Sequence, residues 1–357
     1  MTDRSSQTDL DHITTCEPRR NLPRSESQTL ITGVYRTGTE YITHLLNAHP
    51  QLHASMYRVN VLRFAHGRFD PITEPAQWRK ALDEMEQRIR TRYQIAINRT
   101  EIEAALIERA PITYGVLYDA VMTSLYLRDS KTHWAEKCQL LWREIPAFLD
   151  MMPNGRAILV IRDPRSVLAS FKHITYAPPP AYLGGIFNCL DAMQQGLHLQ
   201  ATLPAERFTM VRYEDAARDP HTTARRLFRF LQLDDRAAET IFQHRDHWTD
   251  AYGRPWIANS AFHRGEADQP FDVEAAIHRW RHVLSPEEVG FTEAVCGPLM
   301  QQFGYELSNV RSDWLAILKL FIADEAMTSH VRRWILTREG IEEFPTDPLN
   351  PANWRNE

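Results

Sequence analysis

An arginine held between two glycines is the first feature of this chain that could do chemistry. In Gly33-Val34-Tyr35-Arg36-Thr37-Gly38-Thr39 a cation sits inside a short loop, with hydroxyls at Thr37 and Thr39 and a carboxylate, Glu40, immediately after. Such a loop ahead of a helix offers backbone N–H groups and the positive end of the helix dipole, an arrangement that suits an anion. Further along, Lys137, Arg162 and Tyr213 stand at or just after the ends of the strand candidates 133–138, 157–161 and 208–212. Lysine is otherwise scarce, occurring at positions 80, 131, 137, 172 and 319, so one at a strand end is conspicuous.

The elements that must position these residues follow from periodicity. Thr29 to Thr32 reads as a buried strand, and Ile42, Leu45 and Leu46 share one face of a helix that stops near His49-Pro50. Leu52 to Tyr57, His133 to Cys138, Ala157 to Ile161 and Phe208 to Arg212 read as further strands. Helices are expected over about 75–110 with a break near 97–99, and over 116–127, 140–151, 219–231, 273–281, 286–303 and 313–336. Strands alternating with helices imply an α/β fold, a three-layer arrangement with a central parallel sheet flanked by helices. Ligands of such folds bind beyond the carboxyl ends of the strands, where the cations above are expected. Residues 1–27 read as a flexible N-terminal arm, 28–307 as one domain with helical insertions, and 308–357 as a C-terminal helical extension and tail.

Bulk properties narrow the classes. The chain has 357 residues, is 43% apolar and carries a net charge of −5 with no block of like charges, so nucleic acid is not an expected partner. The four cysteines lie far apart and form no C-x-x-C, which reads as reduced thiols of a cytoplasmic protein. No uncharged apolar run reaches the length of an export signal or a membrane span.

The Gly33-x4-Gly38 spacing matches part of a P-loop, but Thr39 and Glu40 stand where that motif has lysine and a hydroxyl residue. The same spacing is compatible with an ordinary strand-to-helix turn. Arg162-Asp163 is likewise compatible with a strand-end ion pair, Asp163 with a metal-binding strand-end acid, Ser170 with a small residue on a packed helix face, and Lys137 with a solvated strand end.

Five ordered segments resemble the sulfotransferases that use 3′-phosphoadenosine 5′-phosphosulfate (PAPS). They are YRTGTEYITHLLNAHP, Trp134-Ala135-Glu136-Lys137, IRDPRSVLASF, VRYEDAARDP, and Asn259-Ser260-x-Phe262 with Trp280-Arg281 and Phe303-Gly304-Tyr305. The likeness spans about residues 28–307 and leans to the carbohydrate and tyrosyl branch or to bacterial natural-product relatives. It implies a P-loop-like fold, PAPS as co-substrate without a metal, and in-line transfer of a sulfuryl group to a hydroxyl of a saccharide, lipid or other acceptor. By the same likeness Arg36, Thr37, Gly38, Thr39 and Glu40 would bind the phosphosulfate, Arg162 and Ser170 the 3′-phosphate, and Tyr213 would lie near the adenine. Arg36 and Lys137 would be catalytic, with His133, Glu136 and His173 as candidates to take the acceptor proton. Glu40 departs from the family's usual threonine, and the family's carboxylate is missing from residues 55–60. Rival readings are a P-loop kinase or nucleotide hydrolase, and a non-catalytic module that binds PAPS or its product.

Overall fold

Runs of apolar and β-branched residues with no room for polar alternation must be covered on both faces, and a parallel sheet between helices provides that cover. A computed structural model describes residues 22–128, 130–174, 180–243, 273–308 and 310–343. β1 (Ser27–Gly33) leads through the glycine loop into α1 (Thr39–Asn47), and β2 (Leu52–Met56) follows. Four helices come next: α2 (Val61–Phe64), α3 (Pro75–Tyr93), α4 (Arg99–Glu108) and α5 (Tyr114–Tyr126). After them come β3 (His133–Lys137), α6 (Ile145–Met151), β4 (Arg156–Ile161), α7 (Pro164–Ile174), α8 (Gly185–Thr202), β5 (Phe208–Arg212), α9 (Tyr213–Arg218) and α10 (Pro220–Phe230). The remainder is helical: α11 (Val273–His278), α12 (Trp280–Val283), α13 (Pro286–Gln302), α14 (Leu315–Ile322) and α15 (Glu325–Thr337).

The five strands pair in the order β2-β3-β1-β4-β5, each pair parallel. β4 illustrates the layering. Ala157, Leu159 and Ile161 join a core with residues of α5, α6 and α8, while Ile158 and Val160 join a second core with Ile42, Leu45 and Leu46 of α1 and Leu227 and Phe228 of α10. Alternate side chains of one strand thus enter opposite layers. The three-layer α/β fold with a parallel sheet is therefore present, and every strand expected from the sequence forms.

Three expectations need correction. The helix expected over 140–151 starts only at Ile145, because Leu140 takes a left-handed φ of 57° and the chain turns before it can coil. The helix expected over 313–336 is two helices, separated where the Asp324 side chain accepts from the Met327 N–H and caps α15. Residues 22–26, placed in the flexible arm, are held: Arg109 Nη2 donates to the carbonyls of Leu22 and Pro23 at 2.7 Å each, and Ser25 bonds to Asp119.

One buried and one half-buried histidine, His44 and His53, make this packing acid-sensitive. Burial pulls His44 down to about 4 and His53, stacked on Tyr126 with centroids 4.2 Å apart, down to about 3. The unfolded chain then binds more protons than the folded one between about pH 6.5 and those values, so stability falls as pH is lowered through that window. Thermal unfolding midpoints should drop from pH 7 to pH 5, and His53→Phe should flatten the drop. A His53→Phe variant with the parent's full pH dependence would remove His53 as a cause.

Candidate functional site

The loop after β1 is shaped by two left-handed residues, Arg36 at φ 70° and Gly38 at φ 90°. At Gly38 glycine is required twice over, since a Cβ would strike the ring of Tyr213 as well as strain the backbone. Gly38 caps α1, and no side chain bonds the first-turn N–H groups from the cap. The N–H groups of that turn and the positive end of the helix dipole are suited to an external anion. Thr37 Oγ1 donates to the Val34 carbonyl at 2.7 Å and tightens the turn, and Thr39 Oγ1 accepts from Gln139 at 3.1 Å.

The end of β4 closes on this loop. Arg36 Nε donates to Ser170 Oγ at 2.9 Å, and Arg162 Nη1 donates to the Arg36 carbonyl at 2.9 Å. The Arg162 guanidinium lies 4.2 Å from the centroid of the Tyr213 ring, and its Nε is buried with no hydrogen-bond partner. A buried cationic N–H left unsatisfied is expensive unless an anion meets it. Neighbouring acids are already engaged. Asp163 binds Arg165, and Glu214 accepts from the Asp163 N–H at 3.0 Å and from the Tyr305 hydroxyl at 2.9 Å.

On the other flank, Lys137 ends β3 with its side chain fully buried. Its Nζ lies 3.0 Å from Glu40 Oε1 and 4.1 Å from the centroid of the Tyr57 ring. Burial pulls the ammonium below its ordinary value, Glu40 pushes it back up, and Arg36 pulls it down slightly. Glu40, the departure noted in the sequence, is thus the charge partner of this lysine. Tyr57 belongs to the site too, although an apolar strand end carries no sequence signal for it.

Two proposed catalytic residues do not reach the site. His133 begins β3, pairs in register with Ser27, and lies beside Thr132 and Glu26 at the amino edge of the sheet. Four strand residues, about 13 Å, separate it from Lys137 at the opposite edge. Glu136 neighbours Lys137 in sequence, but strand alternation turns it into the other layer, where it is fully buried. It accepts from the N–H groups of Val59 at 2.6 Å and Asn60 at 2.9 Å and from the Tyr118 hydroxyl. That carboxylate anchors the turn after β2 and has no access to an acceptor. Asn259, Ser260 and Phe262 lie outside the described residues, as does the side chain of His173. A cleft lined by Arg212, Asp215, Arg226 and Phe303 lies at the β5 edge and shares none of the residues above.

Removing the partner of Lys137 should be directly visible. Glu40→Gln deletes the largest influence holding its charge, so the Lys137 titration should move further down, as followed by NMR of labelled lysine. An unmoved titration would mean that Glu40 does not set it.

Comparison with known proteins agrees with this geometry. The profile of the Sulfotransferase family matches residues 29–237, from β1 to beyond α10. Carbohydrate sulfotransferase 7 of Rattus norvegicus is 34% identical over 118 residues, covering 32% of this chain and 22% of the relative. Carbohydrate sulfotransferase 5 of Mus musculus is 28% identical over 180 residues, covering 45% of this chain and 44% of the relative. The chain therefore spans less than half the length of these curated relatives. Among solved structures, the sulfotransferase domain from the Synechococcus PCC 7002 olefin synthase superposes with a TM-score of 0.51 at 17% identity, covering 82% of this chain and all of that domain, a likeness of fold. The cytoplasmic expectation is overturned here, because the curated relatives are carbohydrate sulfotransferases, which are not cytoplasmic enzymes. Its physical basis was weak: Cys138, Cys189 and Cys296 are free and buried, and such thiols pack as small apolar groups in any compartment. No helix among the described residues is long and apolar enough to cross a membrane. With the family profile matched over more than half its length, and with the parallel sheet and glycine loop in place, this chain belongs to the sulfotransferase family.

Proposed function

We propose that this protein transfers a sulfuryl group from PAPS to a hydroxyl, and that the hydroxyl belongs to a saccharide. The observation that carries the reading is the Arg36–Ser170 hydrogen bond, which brings the loop after β1 and the helix after β4 against each other. Two cationic pockets then share one wall, as a nucleotide with phosphates at two ends requires. The unsatisfied Nε of Arg162 supports an anion on the β4 side, and the uncapped first turn of α1 supports one on the β1 side. The names of the curated relatives support the saccharide.

PAPS supplies an activated sulfuryl group on a phosphate that leaves readily. The S–O bond to that phosphate breaks as a bond forms from sulfur to the acceptor oxygen, whose proton passes to a base or to water. The protein's part is positioning and charge. Arg36 and the N–H groups of the loop hold the 5′ end, Arg162 and Ser170 hold the 3′-phosphate, and Lys137 faces the charge that grows on the leaving oxygen. Lys137 acts from a buried position, where a cation is worth more than in water. Tyr213, packed between Gly38 and Arg162, serves chiefly to fix Arg162.

Calorimetry should find tighter binding of adenosine 3′,5′-bisphosphate than of magnesium ATP, and Arg162→Ala should weaken the bisphosphate by about 10- to 100-fold, the loss of a charged hydrogen bond. Lys137→Ala should slow sulfation of a saccharide panel by ~100- to 1,000-fold with nucleotide affinity less affected. Preference for magnesium ATP, or indifference to the loss of Arg162, would sink the proposal.

A further inference from the structure

We propose that Arg88 is a positioning residue of the transfer step: with Glu136 it clamps the turn after β2, and the clamped turn holds the ring of Tyr57 over Lys137. This rests on the reading of Lys137 as the cation that meets the leaving oxygen. The turn, residues 57–60, carries two non-glycine residues in the left-handed region, Tyr57 at φ 58° and Asn60 at φ 47°. Such residues persist where their surroundings over-determine them. Here two buried charges of opposite sign do so from two different elements. Arg88 of α3, 2% exposed, donates from Nη1 to the Tyr57 carbonyl at 3.3 Å and from Nη2 to the carbonyls of Arg58 and Val59. Glu136 of β3 accepts from the N–H groups of Val59 and Asn60. The cation takes the acceptors of the turn and the anion takes its donors. Hydrogen bonds to ionised groups are roughly twice as strong as neutral ones, so the turn is gripped from both sides. Tyr93 of α3 adds a neutral bond, its hydroxyl donating to the Tyr57 carbonyl at 2.9 Å.

The grip is felt at the lysine. Tyr57 meets Lys137 twice: its N–H donates to the Lys137 carbonyl at 3.0 Å, and its ring centroid lies 4.1 Å from Nζ. An ammonium has three N–H groups to direct. Glu40 Oε1 takes one of them at 3.0 Å, and the ring face covers another side. The directions left for a bond to the leaving oxygen are narrowed accordingly, and a charge fixed in direction before the reaction is what this kind of catalysis uses. An aromatic face attracts a cation most strongly where water is excluded, as it is around this fully buried side chain. The helical insertion between β2 and β3 therefore serves the site: Arg88 acts on Lys137 through Tyr57.

The test follows PAPS turnover by the full chain, counted as adenosine 3′,5′-bisphosphate released in the presence of a panel of mono- and disaccharides, with bisphosphate affinity measured by calorimetry alongside. Tyr57→Leu should lower kcat about 10-fold, the loss of a desolvated cation–ring contact, with bisphosphate affinity within about twofold of the parent. Tyr57→Phe keeps the ring and should recover most of that loss. Tyr57→Asn, which accepts a left-handed backbone more readily, takes the place of leucine if Tyr57→Leu does not fold. Arg88→Lys keeps the charge without the fork. It should lower kcat about 3- to 10-fold in the parent and by less than about twofold in the ring-less background, a non-additivity that a merely structural arginine would not show. A ring-less variant at the parent's kcat, a loss in Tyr57→Phe as large as leucine's, or an Arg88→Lys loss equal in both backgrounds overturns the inference while Lys137→Ala stays slow. Lys137→Ala at the parent's rate overturns the reading of that lysine, and this inference with it.

Discussion

Arg36 is held at both its ends, and the site depends on that restraint. Its backbone sits in the left-handed region at φ 70°, its carbonyl accepts from Arg162, and its guanidinium donates to Ser170. A non-glycine residue in that conformation costs on the order of 1–3 kcal/mol and persists only where its surroundings over-determine it. Here they do so by joining the first element of the fold to the fourth strand. β1 and β4 are adjacent and parallel, so their following loops leave the sheet at the same edge, close enough for one side chain to bridge them. The side chain that would grip an anion in the first loop therefore also sets where the second pocket lies.

The other half of the site is governed by the cost of burying an ammonium. Lys137 has no exposure to water, and an isolated charge there would deprotonate before it would stay buried. Glu40 and the face of Tyr57 favour its charged form against that cost. The carboxylate can stand there because the first turn of α1 favours negative charge, the same property that suits the loop to phosphate. The unusual acid beside an anion loop is thus half of an ion pair, and its side chain remains partly open to solvent where the lysine does not.

Glu136 and His133 show how little sequence distance means in a strand. Glu136 is one residue from Lys137 and faces the opposite layer, where it anchors the turn through Val59, Asn60 and Tyr118. That turn carries Tyr57, whose N–H bonds the Lys137 carbonyl at 3.0 Å, so the buried acid helps shape the site from behind. His133 lies at the far edge of the same strand.

Local patterns in the chain determined its local structure. Unbroken apolar runs such as AILVI can be satisfied only between two layers, and the glycines around Arg36 permit only a tight turn, so the five strands, the loop and α1 could be read from residue order. That Arg36, Arg162 and Ser170 belong together followed from the family resemblance rather than from periodicity, and the structure brings the three into contact. Strand order, the partner of Glu40, the entry of Tyr57, and the exclusion of His133 and Glu136 were decided by tertiary structure. These depend on which strands lie side by side and on the layer each side chain enters. They are relations between residues as far apart as 40 and 137, and strand pairing brings those together without leaving a trace in either neighbourhood.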